Sequence, residues 1–245
     1  MEAELPENVI EARNLRKEYG EVVAVAGIDL AIAKGELFGL LGPNGSGKTT
    51  IIRLLTGQVQ PTSGSVRVMR IDAAAHPVEA RAGIGIIPEQ ETPPSFLTAE
   101  EYLRFVGEIR SVDDIEEQCD WWFSYLDFGD ARTRLCKDLS RGTRQKLMFA
   151  QAFLHRPPLA LIDEPLINLD PVMQRKVKDF LTDYVGAGNT IFLSTHILAI
   201  AEEICTGIAI LNRGELLFTG SPEELRERHE DLEGFFLGLV ANHGE

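Results

Sequence analysis

Short apolar runs alternate with longer amphipathic stretches through most of this chain. The apolar runs have the length and composition of buried strands, and they occupy residues 37–41, 84–87, 159–162 and 190–195. Helical spacing of apolar residues is clearest over residues 171–185, between the last two of these runs. This alternation predicts an α/β fold.

The N-terminal flank and one internal segment depart from the alternation. The flank is rich in predicted β-structure, with short strands over residues 8–16, 22–25 and 28–32. A turn at Gly27 is predicted between the last two of these strands. Residues 98–138 have helical spacing and no good strand, and Thr98 with Glu101 has the pattern of a capping box at their start. We therefore expect an inserted α-helical subdomain.

A glycine-rich loop follows the first buried run. Residues 42–49 match the phosphate-loop pattern G-x-x-x-x-G-K-[ST], between a predicted strand and a predicted helix. Glycines let several backbone N–H groups point at one phosphate chain, and the helix N-terminus adds positive potential. Lys48 is expected to reach the β- and γ-phosphates, and the Thr49 hydroxyl is expected to hold Mg²⁺. The chain is therefore expected to bind a nucleoside triphosphate through Gly42, Pro43, Asn44, Gly45, Ser46, Gly47, Lys48, Thr49 and Thr50.

Candidate catalytic side chains follow two later strands. The run at 159–162 delivers Asp163, which can hold Mg²⁺ through water, and Glu164, which can polarise an attacking water. His196 follows the run at 190–195 and could contact a γ-phosphate or orient water, although a lone histidine is more often structural. The ring of Tyr19 could stack on a base or pack on the core as a strand-end residue, and chemistry alone leaves both open.

These elements divide the chain into three parts. A nucleotide-binding core with its β-rich flank is expected over residues 8–90 and 157–220, and a helical subdomain over residues 91–156. Residues 221–245 complete the chain with a C-terminal helix, for which Ser221 is the expected cap, and a tail.

Charge and hydropathy exclude several partners. The formal net charge of −14 disfavours nucleic acid, whose phosphates demand basic surfaces, and it disfavours broad adhesion to anionic lipid. No apolar run approaches the roughly 18 residues of a membrane-spanning helix, so none is expected. The acidic N-terminus lacks the apolar segment of a secretory signal.

The order of these motifs resembles one family, the ATP-binding cassette (ABC) ATPases, over about residues 8–226. LSRGT at 139–143 resembles the LSGGQ signature, and LALIDEP at 159–165 resembles the strand that carries the Mg²⁺ ligand and catalytic glutamate. NLD at 168–170 and STH at 194–196 match two further motifs, and Tyr19 occupies the base-stacking position of the family.

The resemblance implies a mechanism that needs two subunits. Such domains pair head to tail, with ATP and Mg²⁺ between the phosphate loop of one subunit and the signature of the other. Ser140 and the Gly142 N–H would then contact the γ-phosphate of ATP bound to the partner, while Glu164, His196 and Lys48 serve catalysis. The helical segment 98–138 would meet a separate transmembrane subunit.

Two departures from the family pattern matter. Glu89 stands where the family places a glutamine after proline, so we expect an acidic Mg²⁺ contact there, unless the chain slips and Gln90 takes the position. Arg141 and Thr143 replace a glycine and the glutamine of the signature, which leaves any contact of that glutamine in doubt. This looser signature, with Arg144 and Lys146 following it, is similar to those of the exporter-associated branch.

We therefore expect an ATPase subunit that powers a membrane exporter, attached peripherally to the cytoplasmic face of the cell membrane. The second ATPase subunit could be another copy of this chain or a relative. The alternative is a soluble cassette ATPase acting in translation or DNA repair, although such proteins tend to carry paired cassettes or basic extensions. A small-molecule kinase built on a phosphate loop would not account for the LSRGT and STH matches.

Overall fold

A computed structural model describes residues 7–88 and 93–228, with isolated positions at 234, 236 and 238. The expected positions of Glu89 and Gln90, and most of the predicted tail, lie outside these residues. The described strands are β1 (Asn8–Tyr19), β2 (Val22–Ala33), β3 (Leu37–Leu41), β4 (Ser63–Val68), β5 (Ile71–Asp72), β6 (Ile84–Ile87), β7 (Leu159–Asp163), β8 (Thr190–Thr195), β9 (Gly207–Asn212) and β10 (Glu215–Gly220). The α-helices are α1 (Lys48–Leu55), α2 (Pro77–Ala82), α3 (Ala99–Ile109), α4 (Ile115–Tyr125), α5 (Arg141–Phe153), α6 (Pro171–Gly186), α7 (Leu198–Ile204) and α8 (Pro222–Arg228).

The larger sheet has the strand order β10-β9-β3-β8-β7-β6, and every pair except β10 with β9 is parallel. Register brings Leu41 opposite Thr195, and Asp163 opposite Ser194. The carboxyl ends of β3, β8 and β7 therefore meet at one edge of the sheet. Ligands of open α/β sheets bind at this edge, which is where the phosphate loop leaves β3.

The smaller sheet, with order β2-β1-β4-β5, is antiparallel and confirms the β-rich flank. The prediction of two strands separated by a turn at Gly27 is wrong, because β2 is continuous. Gly27 has a φ of 92°, and a Cβ there would lie 2.7 Å from Oδ1 of Asn14, which itself has a φ of 44°. The register shifts between Ala12 and Arg16, so the glycine accommodates a bulge in β1 rather than a turn.

The six-stranded sheet separates two hydrophobic clusters. Leu37 and Leu41 of β3 pack with the helical part of the chain, whereas Phe38 and Leu40 pack with the N-terminal sheet and α1. Alternate residues of a strand point to opposite faces, so β3 is buried on both sides. This explains why its sequence is apolar throughout.

The predicted inserted helical region is present, and its start has the predicted cap. Thr98 Oγ1 accepts a hydrogen bond from the Glu101 N–H over 3.2 Å, and the Glu101 carboxylate accepts one from the Thr98 N–H over 2.8 Å. Trp122 and Phe123 of α4 are buried in the core, while Trp121 is exposed. Over residues 7–88 and 93–228, no helix is both long and apolar enough to span a bilayer.

Candidate functional site

The phosphate loop joins β3 to α1 through a backbone that only glycine can form. A Cβ on Gly42 would lie 2.3 Å from the Leu211 carbonyl oxygen. A Cβ on Gly47 would lie 2.4 Å from the Ala24 carbonyl oxygen, and its φ of 113° disfavours any side chain. The glycines therefore allow the loop to lie against β9 and the N-terminal sheet, with the first turn of α1 directly after it.

Lys48 and Ser46 place polar atoms inside this loop. The Lys48 side chain is buried, and its Nζ donates to the Gly42 and Pro43 carbonyl oxygens over 2.7 and 3.1 Å. Ser46 Oγ is buried and has no hydrogen-bond partner among the described residues. A buried hydroxyl without a partner is costly in a native structure, and a phosphate oxygen would satisfy it. The loop therefore fits a phosphate chain.

Thr49 and Asp163 bring two oxygen ligands together. Thr49 Oγ1 donates to Asp163 Oδ2 over 2.9 Å, linking the start of α1 to the end of β7. The other carboxylate oxygen, Oδ1, accepts a hydrogen bond from Ser194 Oγ on the neighbouring strand. Mg²⁺ prefers oxygen ligands and is commonly held by one or two protein groups together with substrate phosphates. This pair is suited to such an ion beside the phosphate loop.

Glu164 is held in place from several directions. Its backbone is in the left-handed region at a φ of 49°, and its N–H donates to the Ser194 carbonyl oxygen over 3.1 Å. One carboxylate oxygen accepts from the His196 N–H over 3.0 Å and lies 2.6 Å from His196 Nδ1. The other accepts from Thr195 Oγ1 over 3.2 Å. The strand end of β8 therefore orients the carboxylate that follows β7.

Lys48, Thr49, Asp163 and Glu164 border a cavity of about 340 Å³, whereas Ser46 and His196 do not line it. Its lining contains two cationic side chains, Lys48 and Arg53, and two carboxylates, Asp163 and Glu164; the remaining lining residues are Val22, Val23, Ala24, Asn44, Gly45, Gly47, Thr49 and Thr50. Cations beside carboxylates, at a glycine loop and a helix N-terminus, suit a phosphate chain carrying a divalent cation.

Tyr19 lies at the end of β1, where it pairs with Val22, a residue of the cavity wall. Its side chain is 45% exposed, and Lys17 Nζ lies 4.9 Å from the ring centroid. The ring is therefore not packed in the core, and base stacking remains a prediction.

The signature residues stand apart from this cavity. Ser140 is exposed and caps α5 by accepting a hydrogen bond from the Thr143 N–H over 3.1 Å. A Cβ on Gly142 would lie 2.8 Å from the Asn168 carbonyl oxygen, so the start of α5 touches the NLD segment of the same chain. Neither Ser140 nor Gly142 lines the cavity. The predicted site residues of one chain thus form two separate surfaces.

Sequence reasoning gave no role to Ser194 and Thr195, although they hold the two acidic side chains. Their position at the end of an apolar strand beside β7 was the available signal. Sequence reasoning also overlooked Arg53, which lies one turn into α1 on the cavity wall.

Comparisons with known proteins agree with this geometry. A family model described as ABC transporter matches residues 25–167. The chain is 32% identical over 219 residues to the Nod factor export ATP-binding protein I of Cupriavidus pinatubonensis, covering 89% of this chain and 67% of that protein. It is 34% identical over 244 residues to an uncharacterised ABC transporter ATP-binding protein of Synechocystis, covering 94% of this chain and 68% of that protein.

Solved structures give the same result. A structure described as the ATP-binding subunit of an ABC transporter superposes with a TM-score of 0.87 at 28% identity, covering 94% of this chain and 99% of that one. A dimeric ATP-binding cassette bound to ADP and phosphate has a TM-score of 0.80 at 24% identity, covering 87% and 98%, and shows the fold alone. The matched family model and the relatives, with which the geometry of the phosphate loop agrees, show that this chain belongs to the ABC transporter family, as an ATP-binding subunit.

Proposed function

We propose that two cassettes pair head to tail and enclose two ATP molecules, each between the phosphate loop of one chain and the signature of the other. The main support for this proposal is that the phosphate-loop cavity and the signature residues lie on separate surfaces of one chain. The cavity at the phosphate loop has no signature residue in its wall, and the exposed hydroxyl of Ser140 stands at the N-terminus of a 13-residue helix elsewhere on the chain. A helix N-terminus capped by an exposed serine attracts phosphate. A second subunit can supply that surface to the cavity.

Within each composite site, the residues of this chain have distinct roles. Lys48 and the loop N–H groups bind the β- and γ-phosphates, and Thr49 with Asp163 holds Mg²⁺, which would neutralise phosphate charge. Glu164 polarises the attacking water, and His196 keeps the Glu164 carboxylate oriented toward it. Ser140 and the Gly142 N–H of the partner contact the γ-phosphate. Tyr19 stacks on the base.

The exposed apolar residues of α2 and α3 support docking on a transmembrane subunit. Val78 is 73%, Phe105 is 49% and Ile109 is 64% exposed, and Phe105 and Ile109 are one helical turn apart. Exposed apolar side chains on neighbouring helices are typical of an interaction surface. We infer that the chain is attached to the cytoplasmic face of a membrane in this way. Relatives named as export proteins, together with the looser signature, favour export.

Complementation between two inactive variants tests the paired site. Lys48→Ala disables the phosphate loop, and Ser140→Arg disables the signature, so each homodimer has two defective sites. An equimolar mixture contains heterodimers with one intact site, so about a quarter of wild-type ATPase activity should return. Each variant assayed alone, at the same total protein concentration as the mixture, is the control. An inactive mixture, with both variants folded, would contradict the proposal.

The membrane partner requires a separate experiment. Tagged protein would be recovered from its native membranes in detergent, and the bound proteins identified by mass. A hydrophobic subunit with several spanning segments is expected, and its loss from a Phe105→Glu variant would place the contact on α3. Recovery with ribosomal or DNA repair proteins instead would favour the soluble alternative.

A further inference from the structure

The edge strand β6 is engaged by the helical region at three consecutive residues. β6 is the last strand of its sheet, so carbonyl groups facing away from β7 have no strand partner. Arg110, which follows α3, donates from Nη2 to the Ile84 carbonyl oxygen over 3.3 Å. Gln151 of α5 donates from Nε2 to the Ile86 carbonyl oxygen over 2.7 Å. Between them, a Cβ on Gly85 would lie 2.4 Å from the Ala152 carbonyl oxygen, so the backbones of β6 and α5 touch there.

Arg110 also binds the end of a second core element. Its Nη1 donates to the Arg81 carbonyl oxygen over 2.9 Å and to the Ala82 carbonyl oxygen over 2.8 Å, both in the last turn of α2. One guanidinium therefore joins the end of α3 to α2 and to β6. We refer to Arg110 and Gln151, with the β6 residues 84–86 that they contact, as the β6 clamp.

A contribution to the stability of the fold does not explain why an arginine occupies position 110. Arg110 is half-buried, and within the described part of the chain its hydrogen bonds go to carbonyl oxygens, with no carboxylate to balance its charge. Burial lowers the pKa of Arg110, which shows that the charged form is disfavoured here. A partly buried cation without a counter-ion is a poor source of stability, but its rigid fork of donors fixes direction well.

Gln151 ties the signature helix α5 to β6 directly, whereas Arg110 ties the end of α3, which packs against α5. Gln151 lies near the carboxyl end of α5, and the signature residues Ser140 and Gly142 stand at its other end. Gln145, between them, donates to the Pro165 carbonyl oxygen over 3.0 Å, just beyond the catalytic glutamate. Gln151 thus ties α5 to β6, and Gln145 ties α5 to the segment that follows β7. Together these two contacts set the orientation of α5.

We propose that Arg110 and Gln151 are positioning residues, which hold α5 at the angle that lets Ser140 and Gly142 meet ATP on a second subunit. This inference rests on the paired cassette proposed above. It predicts that the pairing of two chains and the binding of ATP by one chain depend on different residues. The phosphate loop, Thr49 and Asp163 belong to β3, α1 and β7, and none of them is a residue of the clamp. Loss of the clamp should therefore weaken pairing and leave the binding of ATP by a single chain intact.

The test uses a Glu164→Gln background, in which bound ATP should persist. Arg110→Met and Gln151→Met remove the donors and keep the side-chain length. Arg104→Met is the matched control, because Arg104 lies on α3 and pairs with the partly buried Glu100 and the exposed Glu116. Dimer dissociation in ATP would be measured by sedimentation, and ATP affinity by fluorescence at concentrations where the chain is monomeric.

Each clamp variant should raise the dimer dissociation constant at least about tenfold, the effect of losing a charge-assisted or buried hydrogen bond. ATP affinity of the monomer should stay within about twofold of the parent. Arg110→Lys, which keeps the charge and one donor nitrogen but loses the planar fork, should restore part of the loss. Unchanged pairing in both clamp variants, or a parallel loss of monomer ATP affinity, would overturn the inference. Failure of the Glu164→Gln parent itself to pair in ATP would instead count against the paired cassette.

Discussion

The Nδ1 atom of His196 lies 2.6 Å from Oε1 of Glu164, and the His196 N–H donates to the same oxygen over 3.0 Å. Glu164 Oε2 accepts from Thr195 Oγ1, so both carboxylate oxygens are held by the end of β8. The proposed general base and the residues that orient it therefore come from adjacent parallel strands whose ends meet beside the phosphate loop. A carboxylate fixed in this way needs little reorganisation before it polarises water.

Replacing Glu164 with glutamine should separate ATP binding from hydrolysis. The amide preserves size and its oxygen can still accept from the His196 N–H, but it cannot polarise water, so kcat should fall by about 10²- to 10⁴-fold. The affinity for ATP should change by less than about threefold, because the phosphate loop is intact. Single-turnover hydrolysis and equilibrium ATP binding would be measured on the same preparation. A variant that keeps a tenth or more of the wild-type kcat would remove Glu164 from the role of general base.

His196 should act through Glu164 rather than independently. His196→Ala removes the Nδ1 contact and leaves the backbone N–H contact in place, so we expect kcat to fall by about 10- to 100-fold. The double variant with Glu164→Gln should be no slower than Glu164→Gln alone, since residues that work as a unit are not additive. Rates of the two single variants and the double variant give the coupling. Additive losses would indicate that His196 contacts the phosphate by itself.

Lys48→Met should lower ATP affinity at least about tenfold, because the buried ammonium is the proposed charged phosphate ligand of the loop. The substitution also removes the donor of the Gly42 and Pro43 carbonyl oxygens, so we expect the free energy of unfolding to fall by about 1–3 kcal/mol. Titration with a fluorescent ATP analogue and urea denaturation would measure the two effects. Lys34→Met, at an exposed position before β3, is the control and should change neither.

Sequence patterns identified the elements that carry the site. Buried strands are largely apolar, and the phosphate loop, Asp163 and His196 lie at or directly after the carboxyl ends of such strands, so both the α/β fold and the site edge were predictable. Gly27 was misassigned because a glycine inside a strand pattern is compatible with a turn or a bulge, and only the pairing with β1 distinguishes them. The contacts of Arg110 with β6 join segments 26 or more residues apart in sequence, and no local pattern specifies them.

His155 should make stability depend on pH. Burial, and then the nearby Arg110 charge, lower the pKa of His155 from 6.5 to about 4. Between these values the unfolded chain binds a proton that the native chain does not, so the free energy of unfolding should fall as pH drops from 6.5 toward 4. Above pH 6.5 this contribution is fully present.

A His155→Leu variant should therefore lose stability less steeply between pH 7 and pH 5 than the wild type, as measured by urea denaturation at each pH. His76→Leu, on an exposed histidine, is the matched control for replacing a histidine with leucine. Equal slopes for the wild type and His155→Leu would show that His155 titrates alike in both states.

Because the six-stranded sheet divides the core, substitutions on its two faces should be energetically independent. Ile87 and Ile162 are register partners in one hydrophobic cluster, whereas Ile84, on the same strand as Ile87, belongs to the other. Each Ile→Val change should cost about 0.5–1.5 kcal/mol. The costs should add for Ile87 with Ile84 and depart from additivity for Ile87 with Ile162, as double-mutant cycles in urea would show. The protein could then change the packing beneath its N-terminal sheet over evolutionary time while the cluster shared with the helical region stays as it is.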